Sequence, residues 1–169
     1  AAAAAVSWIV VEWLHRGKPT TLGMASGAVA GLVAITPAAG FVEPMPAILM
    51  GLVAGALCYG GVLMKGVFKY DDSLDVVGIH GLGGTFGALA TGLFATKTVN
   101  ELGADGLFYG NPGQLWIQFL SVVATWAFCF VMSLILFKVV DLMVGIRVSQ
   151  EDENKGLDVS QHSEVGYQL

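Results

Sequence analysis

Four long stretches without Asp, Glu, Lys or Arg limit what this chain can fold into. They run over Leu22–Val42, Pro46–Met64, Val76–Thr96 and Gln114–Phe137. An α-helix needs roughly 20 residues to cross a hydrocarbon core of about 30 Å, so each stretch is long enough to span a bilayer. Only 12% of the 169 residues are charged, whereas about 25% are charged in soluble domains. The sequence therefore predicts an all-α protein, a polytopic membrane helix bundle.

The chain divides into a membrane part, residues 1–148, and a polar tail, residues 149–169. The membrane part is expected to hold the end of one helix and four complete spans, near residues 22–42, 46–68, 76–96 and 114–142. The apolar segment Ala1–Leu14 is too short to span, and we interpret it as the end of a cut helix in the C-terminal piece of a longer polypeptide. With alternating spans, seven of the 8 Lys and Arg fall on one side. The positive-inside rule then predicts a multi-pass membrane protein with a cytoplasmic tail.

Composition and motif content exclude several classes of protein. A net charge of −5 without a basic stripe excludes a nucleic-acid-binding module. Cys58 and Cys129 both lie inside apolar stretches, which does not fit a disulfide scaffold. No cysteine has ligand spacing to His80, so no metal site is predicted. Phosphate-loop, dinucleotide and hydrolase motifs are missing from the sequence, so neither an enzyme nor a cofactor is expected.

Glycines spaced by four recur in the first three stretches, as in Gly23, Gly27 and Gly31 and in Gly51 and Gly55. Small residues at this spacing share one helix face and let helices approach closely. We therefore expect these three helices to form a tightly packed bundle. The fourth stretch contains no glycine, and we expect it to face lipid.

His80 is the most conspicuous polar residue at membrane depth. On a helix, Val76, His80, Gly83, Gly84 and Gly87 fall on one stripe. Such a stripe places an imidazole beside a surface nearly bare of side chains, as a narrow pathway would need. Ionisable residues inside membrane spans are rare and usually functional, which favours the pathway. The alternative is a buried histidine that bonds a neighbouring carbonyl and serves packing alone.

Three acidic residues, Asp71, Asp72 and Asp75, precede His80. Acidic side chains in a first helical turn complement the positive end of the helix dipole, so capping is the favoured interpretation. Asp75 enters the membrane and needs a partner, and a place in a conduction path is the second interpretation.

The pair Thr36-Pro37 interrupts the first complete span. It produces either a kink whose freed carbonyl is satisfied by a neighbour, or a place for the Thr36 hydroxyl on a pathway wall. The sequence leaves both interpretations open.

The segment Asp71–Gly81 (DDSLDVVGIHG), followed by Gly84 and Gly87, resembles the signature of ammonium transporters of the Amt/Mep/Rh family. Further agreement comes from Glu12–Pro19, Gly27–Pro37, Gly145–Val148, Gly156–Asp158 and His162. The resemblance runs from Ser7 to Tyr167 and favours the microbial and plant Amt branch.

This resemblance implies the C-terminal part of an eleven-helix, inverted-repeat fold that assembles as a homotrimer in lipid. His80 would be the second of two paired pore histidines, which relay a proton while neutral ammonia crosses a hydrophobic pore. Val76 would form a narrow apolar point, Thr36 would line the pore, and Asp75 would be the acidic residue just before that point. The implied function is ammonium transport. The alternative is an ammonium sensor of the same fold with little or no flux.

For the tail, the residues alone predict a solvated, mobile end. The resemblance instead implies an ordered regulatory segment that helps PII signalling proteins dock. Its matching positions are Arg147, Gly156, Asp158, Ser160, His162 and Tyr167. Ser160 stands where plant relatives carry a regulatory hydroxyl residue, and phosphorylation there would add negative charge to an acidic segment.

Overall fold

The computed structural model describes residues 1–166, and every regular element in that range is helical. The α-helices are α1 (Ala2–Arg16), α2 (Thr21–Ile35), α3 (Pro44–Phe68), α4 (Leu82–Phe94), α5 (Pro112–Val144), α6 (Gln150–Lys155) and α7 (Leu157–His162). Short 3₁₀ turns follow α2 and precede α5, and a π-helical turn precedes α4. Four segments are long and apolar enough to cross a membrane: Thr21–Ala38, Pro44–Phe68, Val77–Phe94 and Pro112–Val144. The predicted fold class, an all-α membrane bundle, is confirmed.

The described chain forms two compact units, divided between Ala124 and Thr125. In the first unit, α1 packs against α2 and α3, and α4 also packs against α2 and α3. Its centre is one cluster of buried side chains: Trp8, Ala30, Cys58, Tyr59 and Ile79. A second, smaller cluster holds Ala38, Met50 and Ala90. Burial of these side chains stabilises the bundle where helices meet.

Close approach between helices depends on glycine, as the sequence predicted. A methyl group on Gly27 would lie 2.5 Å from Trp8 Cβ, and one on Gly55 would overlap the Ala4 carbonyl. Both obstacles belong to α1, one reached from α2 and the other from α3. Glycine at these two positions therefore sets how near α1 can lie to its two neighbours.

The connection between α1 and α2 is held by a buried carboxylate. Glu12, only 3% exposed, accepts hydrogen bonds from the backbone N–H of Thr20 (3.2 Å) and from its hydroxyl (3.0 Å). The Thr20 oxygen in turn accepts from the N–H of Gly23 (2.9 Å), so Thr20 is the N-cap of α2. A buried charge is tolerated when such hydrogen bonds satisfy it.

The loop between α4 and α5 folds back on the preceding chain. The N–H of Thr96 donates to the Phe41 carbonyl (2.9 Å), and the Tyr109 hydroxyl donates to Glu43 (3.3 Å). Partial burial raises the pKa of Tyr109 above its ordinary value, and the negative charges of Glu43 and Asp105 act in the same direction.

The second unit contains the end of α5 and the tail. In α5, which the sequence predicts to face lipid, no residue of the most apolar window is buried within this chain. The tail is ordered where described: Ser149 caps α6 through Asp152 N–H (3.2 Å), and Arg147 pairs with Glu153 (3.3 Å).

We predict that Gly55→Ala destabilises the protein by about 1–3 kcal/mol, because the added methyl must displace the α1 backbone. Gly60→Ala is the matched control on the same helix, where a methyl meets nothing within 4 Å. Ala is the better helix former by about 1 kcal/mol, so this control should be neutral or slightly stabilising. Thermal unfolding in detergent measures both. Equal melting temperatures for the two variants would contradict the close contact.

Candidate functional site

The candidate site is built on the π-helical turn Val77–Gly81, which contains His80. π-helical geometry is rare and usually occurs as a single turn, frequently at functional sites. The turn starts just after Asp75, whose φ of 58° is left-handed and uncommon for a residue other than glycine. A helical pattern with a constant 3.6 residues per turn does not predict this element.

Asp72 caps the π turn. Its two carboxylate oxygens accept hydrogen bonds from the N–H groups of Val76 (2.9 Å) and Val77 (2.8 Å). Asp75 instead forms an ion pair with Lys65, which is the partner that the sequence indicates it needs. Asp71 is exposed. The three acidic residues therefore have different surroundings, which the dipole argument alone did not separate.

The single stripe predicted around His80 is wrong for two of its glycines. His80 and Val76 are exposed in this chain, while Gly83 and Gly87 are buried. A methyl on Gly83 would lie 3.1 Å from Cys58 Sγ, and one on Gly87 would overlap the Ala34 carbonyl. The π turn places an extra residue in the helix and rotates the residues after it by about 100°. These glycines serve helix packing and do not form a bare surface beside the imidazole.

Near Thr36 and Pro37, the backbone carbonyls accept hydrogen bonds from the same helix, so no neighbouring helix is needed to satisfy them. The Thr36 N–H bonds the carbonyls of Leu32 and Val33, and the second of these is the one that Pro37 cannot reach. The Thr36 hydroxyl donates to the Leu32 carbonyl (2.7 Å). The side chain is exposed, so its oxygen can still accept a hydrogen bond.

His80 exposes its imidazole on the surface of this chain. Within residues 1–166 neither of its ring nitrogens has a hydrogen-bond partner. A neutral imidazole offers one donor and one acceptor, and histidine gains or loses a proton more easily near neutral pH than other side chains do. Across the same residues, no group of three His, Cys, Asp or Glu side chains is arranged to hold a metal ion.

Lys65 belongs to the site although no motif in the sequence marked it. It lies in the last turns of α3, ten positions before Asp75, and its ammonium group also donates to the Asp72 carbonyl (2.8 Å). The ion pair lines a cavity of about 360 Å³ that Glu12 and Arg16 also border. A lysine that ends an apolar stretch ahead of an acidic loop is the only sequence signal for this contact.

The tail residues form local hydrogen bonds. Gly156, with a φ of 94°, joins α6 to α7. The Ser160 hydroxyl lies 3.0 Å from the Gly156 carbonyl and 3.3 Å from that of Asp152. The Asp158 carbonyl accepts from the N–H of Glu164 (2.9 Å), and His162 is the last residue of α7. Tyr167 lies outside the described residues.

We predict that Asp72→Ala frees the first amides of the π turn. Loss of a side-chain cap costs about 1 kcal/mol, so hydrogen exchange at Val76 and Val77 should accelerate roughly fivefold. Ser73→Ala, at an exposed neighbouring position, is the control and should leave exchange unchanged. Equal exchange in the two variants would show that Asp72 is not the cap.

Comparison of the sequence with known proteins gives a family match over nearly the whole chain. The sequence matches the family model described as Ammonium Transporter Family over residues 1–167. An ammonium transporter of Bacillus subtilis (strain 168) is 52% identical over 169 residues, which make up 99% of this chain and 42% of the relative. The chain therefore spans less than half the length of this curated relative.

Two solved structures share the fold. The crystal structure of Saccharomyces cerevisiae Mep2 gives a TM-score of 0.83 at 34% identity, and the match covers 89% of this chain and 35% of that one. A structure described as a sensor Amt protein gives a TM-score of 0.81 at 28% identity and covers 95% of this chain and 39% of that one. The family match is nearly complete, and sequence and fold agree. The chain belongs to the Ammonium Transporter Family.

Proposed function

We propose that this chain supplies part of the pore of a membrane protein that transports ammonium. The observation that carries the proposal is His80: an ionisable side chain, inside a membrane span, exposed on a π turn and without a partner in the described chain. Membership of the Ammonium Transporter Family supports ammonium as the substrate. An imidazole at membrane depth is otherwise costly to keep unpaired.

The proposed mechanism divides the ammonium ion into ammonia and a proton. A bare ammonium ion in an apolar lumen would pay a large desolvation penalty, which neutral ammonia avoids. Val76, 49% exposed, supplies an apolar narrow point, and His80 accepts the proton and passes it on. Thr36 lines the same path with a hydroxyl oxygen that can accept a hydrogen bond. Potassium has no proton to give up and is therefore excluded.

The rest of the pore comes from outside this chain in our proposal. The chain covers 42% of the Bacillus subtilis relative and 35% of the Mep2 chain, so we assign the partner histidine and the outer recruitment site to the part not covered. We propose a homotrimer in the cell membrane with a cytoplasmic C-terminus. Asp75, paired with Lys65, lies near the cytoplasmic end of the path.

We predict that His80→Gln lowers ammonium-evoked current in proteoliposomes roughly a hundredfold, the contribution expected of a positioned proton-transfer group. His15→Gln is the matched histidine control, because glutamine can keep a hydrogen bond to the Tyr59 hydroxyl (2.7 Å in the native pair). When potassium replaces ammonium, the wild-type protein should give no current. Unchanged current in His80→Gln would contradict a relay through this residue.

The alternative function is an ammonium sensor that signals with little flux. Its support is the likeness to a structure described as a sensor Amt protein. Binding and current measured on one preparation separate the two functions. A transporter gives both, whereas a sensor binds ammonium without a sustained current.

We propose that the tail regulates transport and takes part in docking a PII signalling protein. Its described part is folded by itself, since Ser160 contacts both the Asp152 and Gly156 carbonyls and Arg147 pairs with Glu153. A phosphate on Ser160 would break the first contacts and add negative charge near Asp152 and Asp158.

We predict that Ser160→Asp lowers ammonium flux about twofold or more, because charge repulsion unfolds the tail. Ser160→Thr, which keeps the hydroxyl, is the control and should retain flux. The readout is ammonium flux into proteoliposomes, with amide exchange of residues 150–162 as a parallel measure of tail order. A tail that unfolds without any change in flux would contradict regulation through this segment.

A further inference from the structure

The segment that carries His80 rests on one face of α3. Cys58, Gly61 and Lys65 are spaced i, i+3 and i+7, so they lie along a single helical stripe. The Cys58 thiol donates a hydrogen bond to the Ile79 carbonyl, and the distance from Sγ to the oxygen is 3.8 Å. Gly61 meets Gly78 backbone to backbone, because a methyl on Gly61 would lie 3.1 Å from the Gly78 Cα. The stripe thus follows the π turn from its middle to the loop before it.

Lys65 is the polar end of this stripe and connects to the π turn through two aspartates. Its ammonium group donates to the Asp72 carbonyl (2.8 Å) and to the Asp75 carboxylate. The carboxylate of Asp72 then caps the N–H groups of Val76 and Val77. A continuous series of hydrogen bonds therefore runs from α3 to the first residues of the turn.

The ion pair also accounts for the backbone at Asp75. Its left-handed φ of 58° is disfavoured for residues with a side chain, although aspartate tolerates it better than most. Both members of the pair are about one-third exposed, at 32% for Lys65 and 30% for Asp75. Partial burial makes such a pair stronger than an open surface pair, which solvent screens. The pair can therefore hold the conformation from which the π turn starts.

We propose that Lys65 is a positioning residue for His80: it fixes Asp72 and Asp75, and through them the direction in which the imidazole projects. Lys65 acts through the two aspartates that it binds. The significance for transport rests on the proposed function, but the effect on the imidazole is a property of the fold and is measured without transport.

The test is the ring ¹⁵N spectrum of His80 in the full-length protein in lipid, assigned by subtracting the spectrum of His80→Gln. Lys65→Met removes the charge and keeps an unbranched side chain that is one heavy atom shorter. Lys65→Met should shift the His80 signals by more than their linewidth or broaden them measurably. Asp75→Asn should produce the same change. Lys65→Arg should restore the wild-type spectrum. Lys69→Met is the matched control at the end of the same helix, where the side chain is exposed, and should change nothing.

The outcomes separate this inference from the proposed function. Unchanged His80 signals in both Lys65→Met and Asp75→Asn overturn the positioning role. If Lys69→Met changes the His80 signals as much as Lys65→Met does, the positioning role is overturned as well, because the change is then unspecific. If the His80 signals move as expected while wild-type protein carries no ammonium current, the positioning role stands and the transport proposal fails. If Lys65→Met does not fold, Asp75→Asn with its own spectrum decides.

Discussion

The close approach of α3 to the start of the third span is the contact on which the site depends. Where Gly61 meets Gly78, no side chain separates the two backbones. A membrane interior offers no hydrophobic driving force between helices, so packing of this kind must provide the association. Because α3 also packs against α1 and α2, the whole first unit holds the π turn in place. The position of His80 therefore depends on the contact between Gly61 and Gly78.

The low dielectric of the membrane explains the contrast between the charged groups of the chain. Glu12 is satisfied by Thr20, and Lys65 and Asp75 satisfy each other. His80 has no such partner among residues 1–166. The charged groups that stabilise the fold are paired inside the chain, whereas His80, the group proposed to act on the substrate, is free to bind it. That distinction follows from the cost of burying an unpaired polar group, and it is the physical basis for assigning function to His80.

Much of the fold could be predicted from the sequence, since length and hydropathy determine the spans and glycine spacing determines which faces meet. The motif around His80 led to the correct family. The π turn could not be predicted, because periodicity arguments assume a constant 3.6 residues per turn. That assumption misplaced Gly83 and Gly87, which are buried against neighbouring helices. The Lys65–Asp75 pair was also missed, because residues ten apart with a loop between them meet only through the fold. The sequence indicates that Asp75 needs a partner, but only the fold shows that this partner is Lys65 and that Asp72 is the cap.

A structure of the full-length protein in lipid, at a resolution that shows ordered water, would show whether His80 lines a pore. We predict that the His80 imidazole faces an open, apolar lumen that Val76 and Thr36 also line, with a second imidazole within hydrogen-bond distance. We also predict that the π turn at Val77–Gly81 remains. A helix packed directly over His80, with the imidazole bonded to a backbone carbonyl and no lumen beside it, would contradict the proposed pore. In that case His80 would serve packing, and the path for ammonium would have to lie elsewhere.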